Sequence, residues 1–141
     1  MVDNAYLTTP NDLEDHIQYV DDCLSNLQEF WGELSGTYLF LLFSLGNIAQ
    51  LVLFPTSGMT WVGVALCWGL GLYFGIISSV GLSGAHLNPA VTLTLAVLGK
   101  FSFMKVWYYM LAQTLGAFLS AATVYIIYYN RIENFGVNQS T

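Results

Sequence analysis

Charge is what this chain has least of. Only 9% of its 141 residues are Asp, Glu, Lys or Arg, against about a quarter in an ordinary soluble domain. None of the four occurs between Glu33 and Lys100. With 55% hydrophobic residues in a chain of single-domain length, composition points to a membrane protein forming one compact unit. Bases are the scarcest of all: Lys100, Lys105 and Arg131 are the full set. With no basic patch, nucleic-acid binding has no electrostatic footprint. The two cysteines, Cys23 and Cys67, lack metal-ligand spacing and read as free thiols. Two isolated histidines add no nucleophile–base pair and no metal set, so the sequence argues against an enzyme and calls for no cofactor. The first residues also lack the basic region of a cleaved signal peptide.

What charge there is sits at one end. Asp3, Asp12, Glu14, Asp15, Asp21, Asp22, Glu29 and Glu33 all precede the first apolar run. Residues 1–32 therefore form an acidic leader. Thr9-Pro10 with Asp12 resembles a helix start, and Ile17, Val20, Leu24, Leu27 and Trp31 recur at helical spacing. A helix lying on the membrane surface would carry Lys and Arg on its polar face. The acidic face favours instead a solvated cytoplasmic tail with a lead-in helix. Three apolar runs of spanning length follow, at about Leu34–Phe54, Trp61–Val80 and Val106–Tyr129, separated by Pro55-Thr56-Ser57-Gly58 and by Gly99-Lys100-Phe101-Ser102. A polar tail of residues 131–141 ends the sequence, with a glycosylation sequon at Asn138. Small residues recur four apart, as Gly32/Gly36, Gly71/Gly75 and Ala112/Gly116/Ser120. That pattern favours a tightly packed bundle of membrane helices.

One polar stretch interrupts the apolar material: Ser83-Gly84-Ala85-His86-Leu87-Asn88-Pro89-Ala90-Val91-Thr92. Asn88 is a favoured N-cap and Pro89 suits the first helical position. The helix this starts, about Asn88–Leu98, would rise only about 16 Å against a hydrocarbon core of about 30 Å. A half-helix behind irregular backbone is allowed at membrane depth only where protein covers it or a watery cavity lies beside it. The stretch therefore points to a pore or a substrate site. The half-helix N-terminus brings positive partial charge near the midplane, which repels cations. If the Asn88 oxygen caps the helix, its amide NH₂ remains to donate to a neutral oxygen. The carbonyls of Gly84, Ala85, His86 and Leu87, outside any helix, would form a row of acceptors. Acceptors in file opposite a donor suit water or a polyol and suit ions poorly.

These ten residues resemble the first signature loop of the aquaporin and aquaglyceroporin (major intrinsic protein) family. The resemblance extends through Gly32-Glu33-Leu34-Ser35-Gly36-Thr37 and Ala112-Gln113 with Gly116-Ala117-Phe118, covering roughly residues 30–130. It implies an all-α membrane protein: three transmembrane helices plus one re-entrant half-helix, the first half of an inverted-repeat fold, here residues 33–130. It assigns Asn88, Pro89 and Ala90 as the signature motif, Asn88 as pore donor, and Gly84, Ala85, His86 and Leu87 as the carbonyl track. Glu33 would be the buried carboxylate supporting the loop, or an interfacial residue continuing the acidic leader. His86 would turn its carbonyl to the pore while its ring braces the loop. Trp68, twenty positions before Asn88, falls where the family places an aromatic of its selectivity filter, and Trp there resembles the glycerol-facilitator branch. A packing or lipid-facing Trp is the alternative.

What the resemblance implies for function is passive transport of water and small neutral polyols such as glycerol, by a channel or the N-terminal half of one. The alternative is a non-conducting membrane protein that assembles with or regulates full-length aquaporins. The family completes its pore with a second Asn-Pro-Ala half-helix and a filter arginine, and neither is present in these 141 residues. The implied partners are the lipid bilayer, water and glycerol-like solutes, together with either a homo-oligomer (a tetramer by resemblance) or a second repeat. Two bases against one across the membrane give a small positive-inside bias, toward a multi-pass protein of the plasma membrane with a cytoplasmic N-terminus.

Overall fold

The structure, a computed structural model, describes the backbone of residues 10–138 and the side chains of residues 12–135. Among the described residues there are four helices and no strand: α1 (Pro10–Leu53), α2 (Trp61–Ser83), α3 (Pro89–Val97) and α4 (Phe103–Asn138). α1, α2 and α4 are long and apolar enough to cross a membrane. With nine residues, α3 rises only about 13 Å and is the re-entrant half-helix. The chain is a multi-pass, all-α membrane protein.

The spans differ in extent from those marked by the apolar runs. The lead-in helix and the first span are one continuous helix, α1, because no Pro or turn signal separates Pro10 from Phe54. α2 runs on to Ser83, and α4 begins at Phe103 and continues through Arg131-Ile132-Glu133 into the polar tail. Polar residues do not stop a helix when nothing breaks it. Thr9, and the Gln139 and Ser140 of the sequon, lie outside the described residues.

The polarity of the bundle is that of a protein in lipid. Its largest fully buried side chains include Glu33, Ser44, Ser79, Thr92, Gln113 and Ser120, whereas Leu66, Ile77, Phe118 and Ile126 point outward. Hydrocarbon solvates the apolar exterior, and backbone and side-chain polar groups must be satisfied internally. α1 lies at the centre, packed on α2 and α4, and α3 packs on α4. Close approach at the small residues makes this possible. A Cβ at Gly75 would lie 2.8 Å from the Gly36 carbonyl oxygen, and one at Gly116 would fall on the Leu34 carbonyl oxygen. Backbone thus meets backbone between α1 and α2 and between α1 and α4.

The ends of the bundle carry its charges. Lys105 Nζ lies 2.7 Å from Glu29 Oε1, and the Tyr108 hydroxyl donates to Glu29 Oε2. These bonds join the start of α4 to the leader half of α1. At the far end, the Arg131 guanidinium sits 4.6 Å over the Phe54 ring. Lys105 therefore shares a side with the leader, and Arg131 is opposite.

Candidate functional site

The site is the segment between α2 and α3. α2 ends in a left-handed C-cap, with Gly84 at φ 83° and its N–H bonded to the Val80 carbonyl. Two further left-handed residues follow that are not glycine, Ala85 at φ 54° and Leu87 at φ 50°. Such conformations cost about 1–3 kcal/mol each and persist only where surroundings enforce them. At the other end Asn88 caps α3, its Oδ1 accepting from the Ala90 N–H at 2.8 Å, with Pro89 in the first turn. The residues most suited to start a helix do so here.

The enforcing group is Glu33, wholly buried on α1. Its Oε1 accepts from Ser83 Oγ at 2.7 Å and from the His86 N–H at 2.9 Å. Its Oε2 accepts from the Leu87 N–H at 2.8 Å and from Gln113 Nε2 at 2.7 Å. Four donors from α2, the loop and α4 thus converge on one carboxylate. An ionised carboxylate offers about four lone-pair sites, so every one is occupied. Buried charge is tolerated when it is so fully bonded.

A second layer of bonds locks the first. Gln113 Nε2 also donates to Thr92 Oγ1 at 2.9 Å, and Thr92 Oγ1 donates to the Asn88 carbonyl at 3.2 Å. His86 Nδ1 stands 3.1 Å from the same hydroxyl. The Thr92 hydroxyl thus ties together Gln113, the Asn88 carbonyl and the His86 ring. The His86 ring is held between Phe101 and Tyr109, with centroids 4.8 and 5.0 Å away. Tyr109 closes the cage from α4, its hydroxyl donating to the Ser83 carbonyl at 2.8 Å.

The result is a segment with two unlike sides. The four N–H groups of Gly84, Ala85, His86 and Leu87 are all bonded, to Val80, Ser83 Oγ and the two Glu33 oxygens. Among the described residues no donor reaches any of their four carbonyl oxygens. Asn88 is exposed, and its amide nitrogen likewise has no partner among them. Beside it lies a cleft of about 310 Å³ walled by Thr37, Phe40, Leu41, Leu87, Pro89 and Gln113, among others. Thr37 Oγ1 and Gln113 Oε1 are buried in that wall without hydrogen bonds.

Of the residues singled out from sequence, the structure brings Leu87 and Asn88 to the cleft and sets Gly84, Ala85 and His86 on the segment leading into it. Glu33 is in contact with the segment. Trp68 does not line the cleft. It stacks edge-on against Phe40, which does, with ring centroids 5.8 Å apart. Sequence reading gives no role to Ser83, Thr92 or Tyr109. The only signal for Ser83 and Thr92 is their place inside the ten-residue stretch, and Tyr109 carries none, since an aromatic in an apolar run is unexceptional.

Comparison with known proteins gives this geometry a family. Residues 22–141 match the model of the major intrinsic protein family. Aquaglyceroporin-2 of Rhizophagus irregularis is 47% identical over 108 residues, which are 77% of this chain and 34% of that protein. The glycerol uptake facilitator protein of Haemophilus influenzae is 42% identical over 99 residues, 70% of this chain and 37% of that one. The X-ray structure of the aquaglyceroporin from Plasmodium falciparum superposes with a TM-score of 0.72 at 41% identity, covering 77% of this chain and 45% of that chain. The match spans less than half the length of each of these relatives. By the family match over most of its length, and by a likeness that extends to the fold, the chain belongs to the major intrinsic protein family.

Proposed function

We propose that Asn88 and the carbonyls of Gly84, Ala85, His86 and Leu87 form one wall of a passive path for water and small neutral polyols such as glycerol. The observation that carries this reading is the segregation of the segment's polar groups: N–H groups all bound to protein, carbonyls and the Asn88 amide left to a ligand. A molecule passing such a wall exchanges hydrogen bonds with water for equivalent ones with carbonyl oxygens and a single donor. Water and polyols both donate and accept, so both are served. A cation finds the positive end of α3, and an anion finds a row of carbonyl oxygens, so ions are disfavoured.

Phe40 supplies the apolar side of the path, where a polyol's carbon backbone would run, and Trp68 supports it by packing edge-on against that ring. The names of the relatives, aquaglyceroporins and a glycerol uptake facilitator, support the polyol-permissive choice. Glu33 is the positioning residue of the wall. The leader lies in the cytoplasm, on the side of Lys100 and Lys105, in a plasma membrane. The protein assembles as a homo-oligomer, a tetramer by family resemblance.

A second reading has an observation of its own. The exposed Asn88 amide and the cleft beside it are what a second, inverted repeat would cover, so these 141 residues would act in company with such a repeat or with full-length aquaporins. One experiment separates the readings. The 141-residue chain is reconstituted in liposomes, and shrinkage and reswelling in a glycerol gradient are followed by light scattering. Glycerol entry above protein-free liposomes supports the path within this chain. Entry at the protein-free rate rejects it in favour of the second reading.

A further inference from the structure

The leader half of α1 carries a surface that the transport path does not use. Leu13, Ile17, Val20, Leu24, Leu27 and Trp31 are separated by steps of four and three in strict alternation, and each is between 43% and 58% exposed. That is the a/d seam of a heptad repeat, two positions in seven, narrower than the broad apolar face of a helix packed on a globular core. The rest of this half-helix is mostly polar. The protein body takes the other face: Asn26 and Glu29 bond to Tyr108 and Lys105 of α4, and at about 100° per residue they lie nearly opposite the seam. The seam is therefore not a spill-over of the core.

Three features decide what fits it. First, α1 has 44 residues and rises about 66 Å, twice the hydrocarbon thickness. Its leader half continues the axis of the first span away from the bilayer, so it does not lie along a lipid surface. Second, the positions flanking the seam include Glu14 and Asp21, with Asp15 and Asp22 on the outer face, and the leader has no Lys or Arg. Like-signed copies would repel, and an anionic leaflet would repel the helix as well. Third, α4 runs in the same direction as α1, from Lys105 beside Glu29 to Tyr128 beside Gln50. Within the described residues it therefore ends on the opposite side of the membrane, and α4 does not itself cover the seam. We propose that the seam of residues 13–31 docks a separate polypeptide carrying a basic amphipathic helix, apolar at a and d with Lys or Arg at the flanking positions, as a two-stranded coiled coil.

The test uses the full 141-residue chain in nanodiscs of phosphatidylcholine and a fluorescent synthetic helix of about four heptads with Leu at a and d and Lys at e and g. Saturable binding by fluorescence anisotropy is expected. A roughly tenfold or greater loss of affinity is expected with Leu24→Ser/Leu27→Ser, and with a peptide of the same composition in scrambled order. Because the seam variant could perturb the helix, Glu14→Lys/Asp21→Lys provides the second arm: it keeps the seam and should switch preference to a peptide with Glu at e and g. Binding of the scrambled peptide as tight as that of the ordered one overturns the proposal, since charge alone would then suffice. So do absent binding, and an unchanged preference after the charge swap. Efficient cross-linking of Cys23 between two copies, without peptide binding, would overturn it in favour of self-association.

Discussion

The two sides of the Gly84–Leu87 segment are built from the same four residues and could hardly be less alike. On one side, every N–H is held by a group that is itself fixed: the Val80 carbonyl, the Ser83 hydroxyl and the Glu33 carboxylate. On the other, the carbonyls meet no donor among the described residues. In water such an imbalance would mean little. At membrane depth an unbonded backbone carbonyl is costly, so the open side must be met by a ligand or a partner, and the closed side must be strong enough to hold two left-handed non-glycine residues. The closed side is the foundation on which the open side rests.

Breaking the foundation should give the largest effect. Glu33→Leu strands the His86 and Leu87 N–H groups, each worth about 1–3 kcal/mol when left unbonded, and leaves Ser83 and Gln113 only their second acceptors, the Ser79 carbonyl and Thr92 Oγ1. The helical circular dichroism signal in detergent should melt far below that of the parent, or the chain should fail to accumulate. A melting temperature within a few degrees of the parent would mean the carboxylate is not what holds the segment. Next comes Gly116→Val, which forces a side chain onto the Leu34 carbonyl oxygen. Overpacking of this kind costs about 1–3 kcal/mol, and the same melting experiment should place this variant between Glu33→Leu and the parent. Tyr109→Phe removes one bond, to the Ser83 carbonyl, and keeps the ring against His86. A loss of about 0.5–1.5 kcal/mol is expected; a larger one would show that the hydroxyl orients more of the cage than Ser83.

Trp68→Ala sharpens the comparison from the open side. Trp68 bonds to nothing in the cage and is 37% exposed, so the fold should be disturbed least of all. The ratio of glycerol to water permeability in liposomes should shift, by roughly tenfold if Trp68 supports the apolar wall. An unchanged ratio would remove Trp68 from the path.

Much of this architecture is legible in the amino-acid sequence itself. The charge-free stretch from Glu33 to Lys100 marks a membrane protein. Asn88-Pro89 marks a helix start too short to cross, and the small residues four apart mark the close contacts seen at Gly36, Gly75 and Gly116. The continuity of α1 is not legible, because the change from acidic to apolar residues near Gly32 looks like a boundary although nothing there breaks a helix. The partners of Glu33 are hidden for a different reason. Ser83 and Gln113 lie 50 and 80 residues away in sequence, and only the packing of α1 against α2 and α4 brings them to one carboxylate. Tyr109 is invisible for the same reason. Local pattern names the residues that make helices; it does not say which side chains will meet between them.

The most direct test bears on Asn88, where the closed and open sides meet. Asn88→Leu removes the exposed amide donor and the cap to the Ala90 N–H, the latter worth about 1 kcal/mol, while leaving the Glu33 cage intact. Glycerol permeability of liposomes carrying this variant, measured by light scattering against the parent in the same assembly, should fall to that of protein-free liposomes with helical content unchanged. Glycerol flux equal to the parent's would contradict the assignment of this segment as the wall of the path.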